Sequence, residues 1–108
     1  MKKEPLIFIE HIMDAIENIE SYMKNVSKEM FSRNIQLQDA VVRRIEIIGE
    51  AVKNLSRDFT NKHQNIPWRD IAGMRDKLMH RYFGVDLEVV WKTVKEDIPE
   101  LKKTIGQI

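Results

Sequence analysis

Residues 75 to 82, RDKLMHRY, combine side chains that can bind a phosphate and transfer a proton. Arginine carries a fixed positive charge that suits a phosphate, and histidine exchanges a proton near neutral pH. Arg75 and His80 could therefore hold and cleave a phosphodiester, with Asp76 supporting the imidazole and the Tyr82 hydroxyl nearby. The cluster includes no metal-ligand set, so it indicates phosphodiester chemistry without a metal ion.

Arg75 interrupts an apolar helical face. In a helix running from about Trp68 to Tyr82, position 75 falls in the middle of that face, which contains Trp68, Ile71, Ala72, Leu78, Met79 and Tyr82. Burying an unpaired guanidinium costs on the order of several kcal/mol. Arg75 must therefore meet an internal carboxylate, reach a wet cleft or await an anionic ligand. The alternative is an arginine that crosses the edge of the apolar face with its head group in solvent.

The spacing of Asp76, His80 and Tyr82 leaves alternatives open. On a helix, Asp76 and His80 are neighbours, so the carboxylate could fix the imidazole tautomer, or the two could form an exposed pair of little consequence. Tyr82 would point away from His80 on an ideal helix. The two side chains converge only if the helix unwinds toward Gly84 or if a second subunit contributes. Tyr82 could also be an ordinary core aromatic.

Composition limits the classes of function. The 108 residues fit one domain over residues 1–108, with 43% hydrophobic and 32% charged residues, as in an ordinary globular protein. A net charge of +1 gives no global attraction to polyanions, so any polyanion site would be a local patch. Without cysteine, the chain has no disulfide, thiolate nucleophile or cysteine-rich zinc site. We expect no metal, no cofactor and no membrane segment, and a cytoplasmic location is the default.

Three- and four-residue apolar spacing predicts an all-α protein. The repeats are Ile9, Ile12, Ile16, Ile19 and Met23; Val41, Ile45, Ile48, Val52 and Leu55; and Leu87, Val90, Val94, Ile98, Leu101 and Ile105. With the helix around Trp68 to Tyr82, four amphipathic helices and short connections predict an antiparallel bundle. The stripes exceed what one small core needs, so some could pair subunits.

Local signals refine the helix ends. Gly84 is expected to end the predicted helix around Trp68 to Tyr82, and Asp86 is expected to cap the helix that follows. Asp97 and Glu100 resemble a capping box, which predicts a kink or a restart near Pro99. Gly49 is expected to permit close helix approach.

The stretch PWRDIAGMRDKLMHRYFGVDLEVVWKTVKEDIPEL strongly resembles the HepT-like branch of the HEPN superfamily, all-helical ribonuclease toxins of prokaryotes. Upstream, RRIEIIGEAVKNLS resembles the second helix of that branch. An arginine and a histidine five positions apart are a weak signal alone, but the combined pattern is specific and covers essentially the whole chain. The resemblance implies a HEPN-like up-and-down bundle of four to five helices.

The resemblance also implies a function. It implies a metal-independent endoribonuclease of a type VII-like toxin–antitoxin pair, acting on RNA as a homodimer whose shared cleft contains Arg75 and His80 from both subunits. The implied partner is an MNT-type nucleotidyltransferase antitoxin that transfers AMP to Tyr82. Arg81 departs from the small residue expected there in many relatives. The alternatives are a non-catalytic HEPN-fold module that binds a nucleotide or a protein, and a plain helical dimerisation protein. Arg75, His80 and Tyr82 together favour the enzyme.

Overall fold

A computed structural model of the protein describes residues 5–80 and 84–108, and at His80 it describes the backbone alone. Within these ranges the helices are α1 (Pro5–Met23), α2 (Lys28–Arg33), α3 (Ile35–Lys53), α4 (Arg57–Lys62), α5 (Trp68–Ala72), α6 (Met74–Leu78), α7 (Leu87–Lys92) and α8 (Ile98–Ile105). A π-helical segment (Thr93–Asp97) joins α7 to α8, and β1 (Met79–His80) pairs antiparallel with β2 (Gly84–Val85). The predicted all-α class is confirmed.

The long helices α1 and α3 pack along each other and form the centre of the bundle. The core lies between them and the α7–α8 stretch, and includes the fully buried residues Ile12, Ile16, Ile19, Ile45, Ile48, Val90 and Ile98. On the surface, the ammonium group of Lys102 on α8 lies 2.9 Å from a carboxylate oxygen of Glu20 on α1. Hydrogen bonding to that carboxylate, and then its charge, raise the pKa of Lys102. None of the described helices is long and apolar enough to cross a membrane.

Side-chain caps start four of the described helices, α2, α3, α4 and α7, whereas α5, α6 and α8 begin without one. The Asp86 carboxylate accepts hydrogen bonds from the backbone N–H groups of Glu88 and Val89, which confirms the predicted cap of α7. The capping box predicted at Asp97 and Glu100 is wrong, because Asp97 makes no capping hydrogen bond. The backbone at Asp97 is already helical, with φ −78° and ψ −40°, so the chain passes from the π-helical segment into α8 without a new start.

The prediction of one helix from Trp68 to Tyr82 is wrong for the described residues. The helix stops at Ala72, restarts as α6 after Gly73, and ends at Leu78. Met79 is extended, with φ −90° and ψ 124°, and pairs with Val85. Strand pairing therefore takes over backbone groups that a continued helix would have used. Gly84 does not end a helix but begins β2, with a φ of +86° that glycine adopts without strain.

The predicted close approach at Gly49 is confirmed. A Cβ atom at this position would lie 3.1 Å from the carbonyl oxygen of Ala72 in α5, closer than ordinary van der Waals contact. The backbones of α3 and α5 therefore touch at Gly49. This contact fixes the end of α5, and with it the start of α6, against α3.

Gly49→Val should destabilise the protein by about 1–3 kcal/mol, because the new side chain would be forced against the backbone of α5. Helix propensity cannot explain such a loss, since valine is a better helix former than glycine. Ala40→Val is the matched control at a half-buried position of the same helix, where a cost of about 0.5 kcal/mol is expected. Urea unfolding measures both variants. A Gly49→Val protein as stable as the wild type would contradict the tight contact.

Candidate functional site

Arg75 lies on α6, and its side chain reaches α3. Its Nε atom donates a hydrogen bond to Oε2 of Glu46 on α3 at 2.8 Å. The Arg75 side chain is 46% exposed and the Glu46 side chain 27% exposed. Two of the alternatives for Arg75 are thus realised together: the guanidinium meets a carboxylate, and it also reaches solvent.

The contact with Glu46 leaves part of the guanidinium available. Arginine has five N–H donors, and Glu46 takes the one on Nε. The Nη1 atom lies 3.7 Å from a carboxylate oxygen of Asp76, which is beyond hydrogen-bonding distance. The two terminal nitrogens therefore retain donors in the fork geometry that binds a phosphate through two hydrogen bonds.

The arginines of α3 have partners of their own. The guanidinium of Arg43 lies 3.5 Å from a carboxylate oxygen of Glu50. Arg44 lies over the ring of Tyr22 at 6.0 Å. Arg43, Glu46 and Glu50 lie on successive turns of one partly exposed face, which therefore carries one positive and two negative charges. The described part of this surface is therefore a mixed-charge patch beside Arg75, the first residue of the RDKLMHRY motif.

The predicted cluster is only partly described. Arg75 and Asp76 lie on α6, whereas the backbone of His80 lies in β1; Arg81 and Tyr82 fall outside the described residues. Because α6 ends at Leu78, Asp76 and His80 are not neighbours on one helix, and the helical reason given for their pairing is wrong. Asp76 is 80% exposed and lies near Arg75 instead. The supporting role of Asp76 stays a prediction.

Sequence reasoning missed Glu46. Its position carried a usable signal, because Glu46 lies three residues before Gly49, one helical turn from the point where α3 touches α5. A charged residue at that distance from a close contact is placed to meet the elements that follow α5. Identifying its partner nevertheless required the observed end of α5 and start of α6.

Other groups on the described surface do not extend the site. Within residues 5–79 and 84–108, no cluster of three or more histidine, aspartate or glutamate side chains could hold a metal ion. A pocket of about 240 Å³ between α5–α6 and α8 is lined by apolar side chains, by Lys77 and by the carboxylates of Asp70, Asp97 and Glu100. Three carboxylates against one ammonium group make the lining net negative, which disfavours a polyanion. Trp68 and Trp91 are partly buried and pack against the core.

Comparison with known proteins places the chain in a family. The family described as "Ribonuclease HepT-like" matches residues 12–108. A protein of Thermococcus cleftensis named "Probable ribonuclease HepT" is 53% identical over 102 residues, which cover 94% of this chain and 93% of that protein. A "Putative RNase" of Caldanaerobacter subterraneus subsp. tengcongensis is 47% identical over 106 residues, covering 98% and 95% of the two chains.

A further relative is longer than this chain. A protein of Methanocaldococcus jannaschii named "Gamma-glutamylcyclotransferase and putative RNase" is 51% identical over 108 residues, and the chain spans 49% of its length. No solved structure matches the chain. The match over residues 12–108 and the high identity to two relatives of similar length agree with the all-helical fold. The protein belongs to the HepT-like ribonuclease family of the HEPN superfamily.

Proposed function

We propose that this protein is a metal-independent endoribonuclease toxin, and that the residues of its RDKLMHRY motif carry out RNA cleavage. The observation that carries the proposal is the state of Arg75, whose partly exposed guanidinium is held at Nε and keeps its terminal nitrogens for an oxyanion. The family adds support, because its relatives are named as ribonucleases.

The proposed reaction uses the RNA's own 2′-hydroxyl as nucleophile. Its oxygen attacks the neighbouring phosphorus, and the bond from phosphorus to the 5′-oxygen of the next nucleotide breaks. His80 takes the proton of the 2′-hydroxyl, and a proton returned by the imidazole neutralises the leaving 5′-oxygen. Arg75 holds the phosphate and stabilises the charge that develops on it. The products are a 2′,3′-cyclic phosphate and a free 5′-hydroxyl.

We also propose that the active species is a homodimer whose cleft includes the Arg75 face of both subunits. Large apolar side chains remain exposed on the described surface, including Ile35 at 71%, Leu6 at 62% and Met79 at 36%. Met79 directly follows α6, which carries Arg75. A second subunit covering this region would remove apolar surface from water and bring the two motifs into one groove.

Control by a partner enzyme completes the proposal. An MNT-type nucleotidyltransferase antitoxin would join the Tyr82 phenolic oxygen to the α-phosphorus of a nucleoside triphosphate, releasing pyrophosphate and leaving AMP on the tyrosine. The added phosphodiester brings a charge of about −1 and a bulky base. The phosphate would compete with RNA for the Arg75 guanidinium, and the base would fill the cleft.

One observation favours the non-catalytic alternative, a HEPN-fold module that binds a nucleotide or a protein. Glu46 neutralises Arg75 in the free protein, and a structural ion pair needs no substrate. RNA cleavage by the purified protein separates the two hypotheses, because a binding module leaves the RNA intact.

His80→Ala and Arg75→Ala should each lower RNA cleavage by about 10²- to 10⁴-fold, because one removes the proton carrier and the other the phosphate ligand. Arg33→Ala, which removes an exposed arginine paired with Glu29 on α2, should cleave like the wild type. The assay uses labelled RNA with EDTA present and identifies the product ends. Loss of activity in EDTA, or equal cleavage of DNA, which lacks the 2′-hydroxyl, would contradict the mechanism.

Light scattering at micromolar concentration should give twice the 12.8 kDa mass of one chain. Met79→Glu should shift the protein toward the monomer, because it places a charge in the proposed apolar contact. Lys24→Glu, an exposed substitution outside that region, serves as the control for added negative charge. A stable wild-type monomer would contradict the dimeric cleft.

Tyr82→Phe should fold, cleave RNA and escape modification, because it keeps the ring and removes the acceptor oxygen. Tyr22→Phe is the matched control at the chain's other tyrosine and should still gain one AMP. Intact-mass spectrometry after incubation with an MNT-type nucleotidyltransferase and ATP measures both. AMP found on the Tyr82→Phe protein would contradict the assignment of the acceptor.

A further inference from the structure

We infer that Glu46 is a positioning residue, which orients Arg75 so that its terminal nitrogens face the RNA phosphate; this inference rests on the proposed function. The two side chains are joined by a 2.8 Å hydrogen bond from Nε to Oε2 although they are 29 residues apart in sequence. The contact therefore depends on tertiary structure and crosses from α3 to α6.

The two ends of this bond differ in rigidity. Glu46 lies in a 19-residue helix, next to the fully buried Ile45 and two residues before the fully buried Ile48. Arg75 lies in a five-residue helix that starts at Gly73 without a side-chain cap and is followed at once by extended backbone. The close contact at Gly49 holds α3 against the end of α5, just before α6. The well-anchored helix thus supplies the acceptor that fixes a long side chain on a short helix.

Glu46 binds the Nε atom of Arg75, and the choice of this atom determines how the bond can affect phosphate binding. A long, half-exposed arginine loses side-chain freedom when it grips a ligand. Binding at Nε removes much of that freedom beforehand and leaves the end of the guanidinium for the substrate. A carboxylate seated on the two terminal nitrogens would instead occupy the place of the phosphate. The observed geometry fits a support rather than a competitor.

The solvent exposure of both side chains argues that the Glu46–Arg75 pair does not mainly stabilise the fold. An ion pair with side chains 46% and 27% exposed is partly screened by water, and such pairs contribute little to folding. Removing the Glu46 carboxylate should therefore change the melting temperature only slightly. Its effect should appear in the chemical step, where a displacement of about 1 Å can cost about 10²-fold in rate.

The experiment compares Glu46→Ala, Glu46→Gln and Glu50→Ala in the dimeric protein with a labelled RNA. Glu46→Ala should lower kcat by about 10- to 100-fold while KM changes little. Glu46→Gln should recover most of the activity, because its amide oxygen still accepts the Nε–H bond. Glu50→Ala removes a carboxylate one turn farther along α3, from the pair with Arg43, and should cleave like the wild type. Circular dichroism melts verify that all three variants fold.

A second comparison tests whether Glu46 acts through Arg75. In an Arg75→Ala background, Glu46→Ala should cause no further loss in single-turnover cleavage, because the group it orients is already gone. Binding to 2′-O-methyl RNA, which cannot be cleaved, should not weaken in Glu46→Ala, since only orientation is lost.

Specific results would overturn the inference. Unchanged or faster cleavage by Glu46→Ala would exclude a positioning role, and tighter RNA binding together with faster cleavage would identify Glu46 as a competitor of the phosphate. An equal loss in the Arg75→Ala background would show that Glu46 acts independently of Arg75. Failure of the proposed function would give a different result. In that case the wild type would not cleave RNA, or Arg75→Ala would leave cleavage unchanged.

Discussion

The contact between α3 and α5 at Gly49 is the constraint on which the described site depends. Because this position has no side chain, the Ala72 carbonyl comes within 3.1 Å of where a Cβ would be, and the two helices touch through their backbones. The chain then has only Gly73 before α6 begins, so α6 has little freedom to move away from α3. Glu46 and Arg75 meet as a consequence of that short connection.

The end of α6 has an equally direct effect on the motif. A helix running through residue 82 would have placed Asp76 and His80 on one surface and turned Tyr82 away from both. Instead the backbone becomes extended at Met79, and β1 pairs with β2. The backbone of His80 therefore belongs to a different kind of element from the one that carries Arg75. The helix-to-strand transition therefore separates the two backbone positions, and the spacing rules of a helix do not apply to them.

The charges on the described surface fit a protein that would bind RNA through local contacts and not through a broad positive surface. Two arginines on the α3–α6 side have carboxylates near them. Arg75 lies beside Glu46 and Asp76, and Arg43 lies beside Glu50. A near-neutral chain with paired cations does not attract polyanions over long distances. Binding of RNA would then depend on donors that keep the right geometry at short range, and the terminal nitrogens of Arg75 are such donors. The net negative lining of the pocket between α5–α6 and α8 would disfavour RNA there.

The sequence by itself determined the all-α class, the helix faces, the Asp86 cap, the close approach at Gly49 and the family. The first four follow from local rules, because apolar spacing, side-chain caps and the lack of a glycine side chain act within a few residues. The family follows from the combined motif pattern along the chain. It also identified Arg75 as out of place on an apolar face. Only the tertiary structure decided that the third helix breaks at Gly73 and ends at Leu78, and that Glu46 binds Arg75. Strand pairing and a contact between residues 29 apart in sequence depend on how distant elements pack, and no local pattern records that packing.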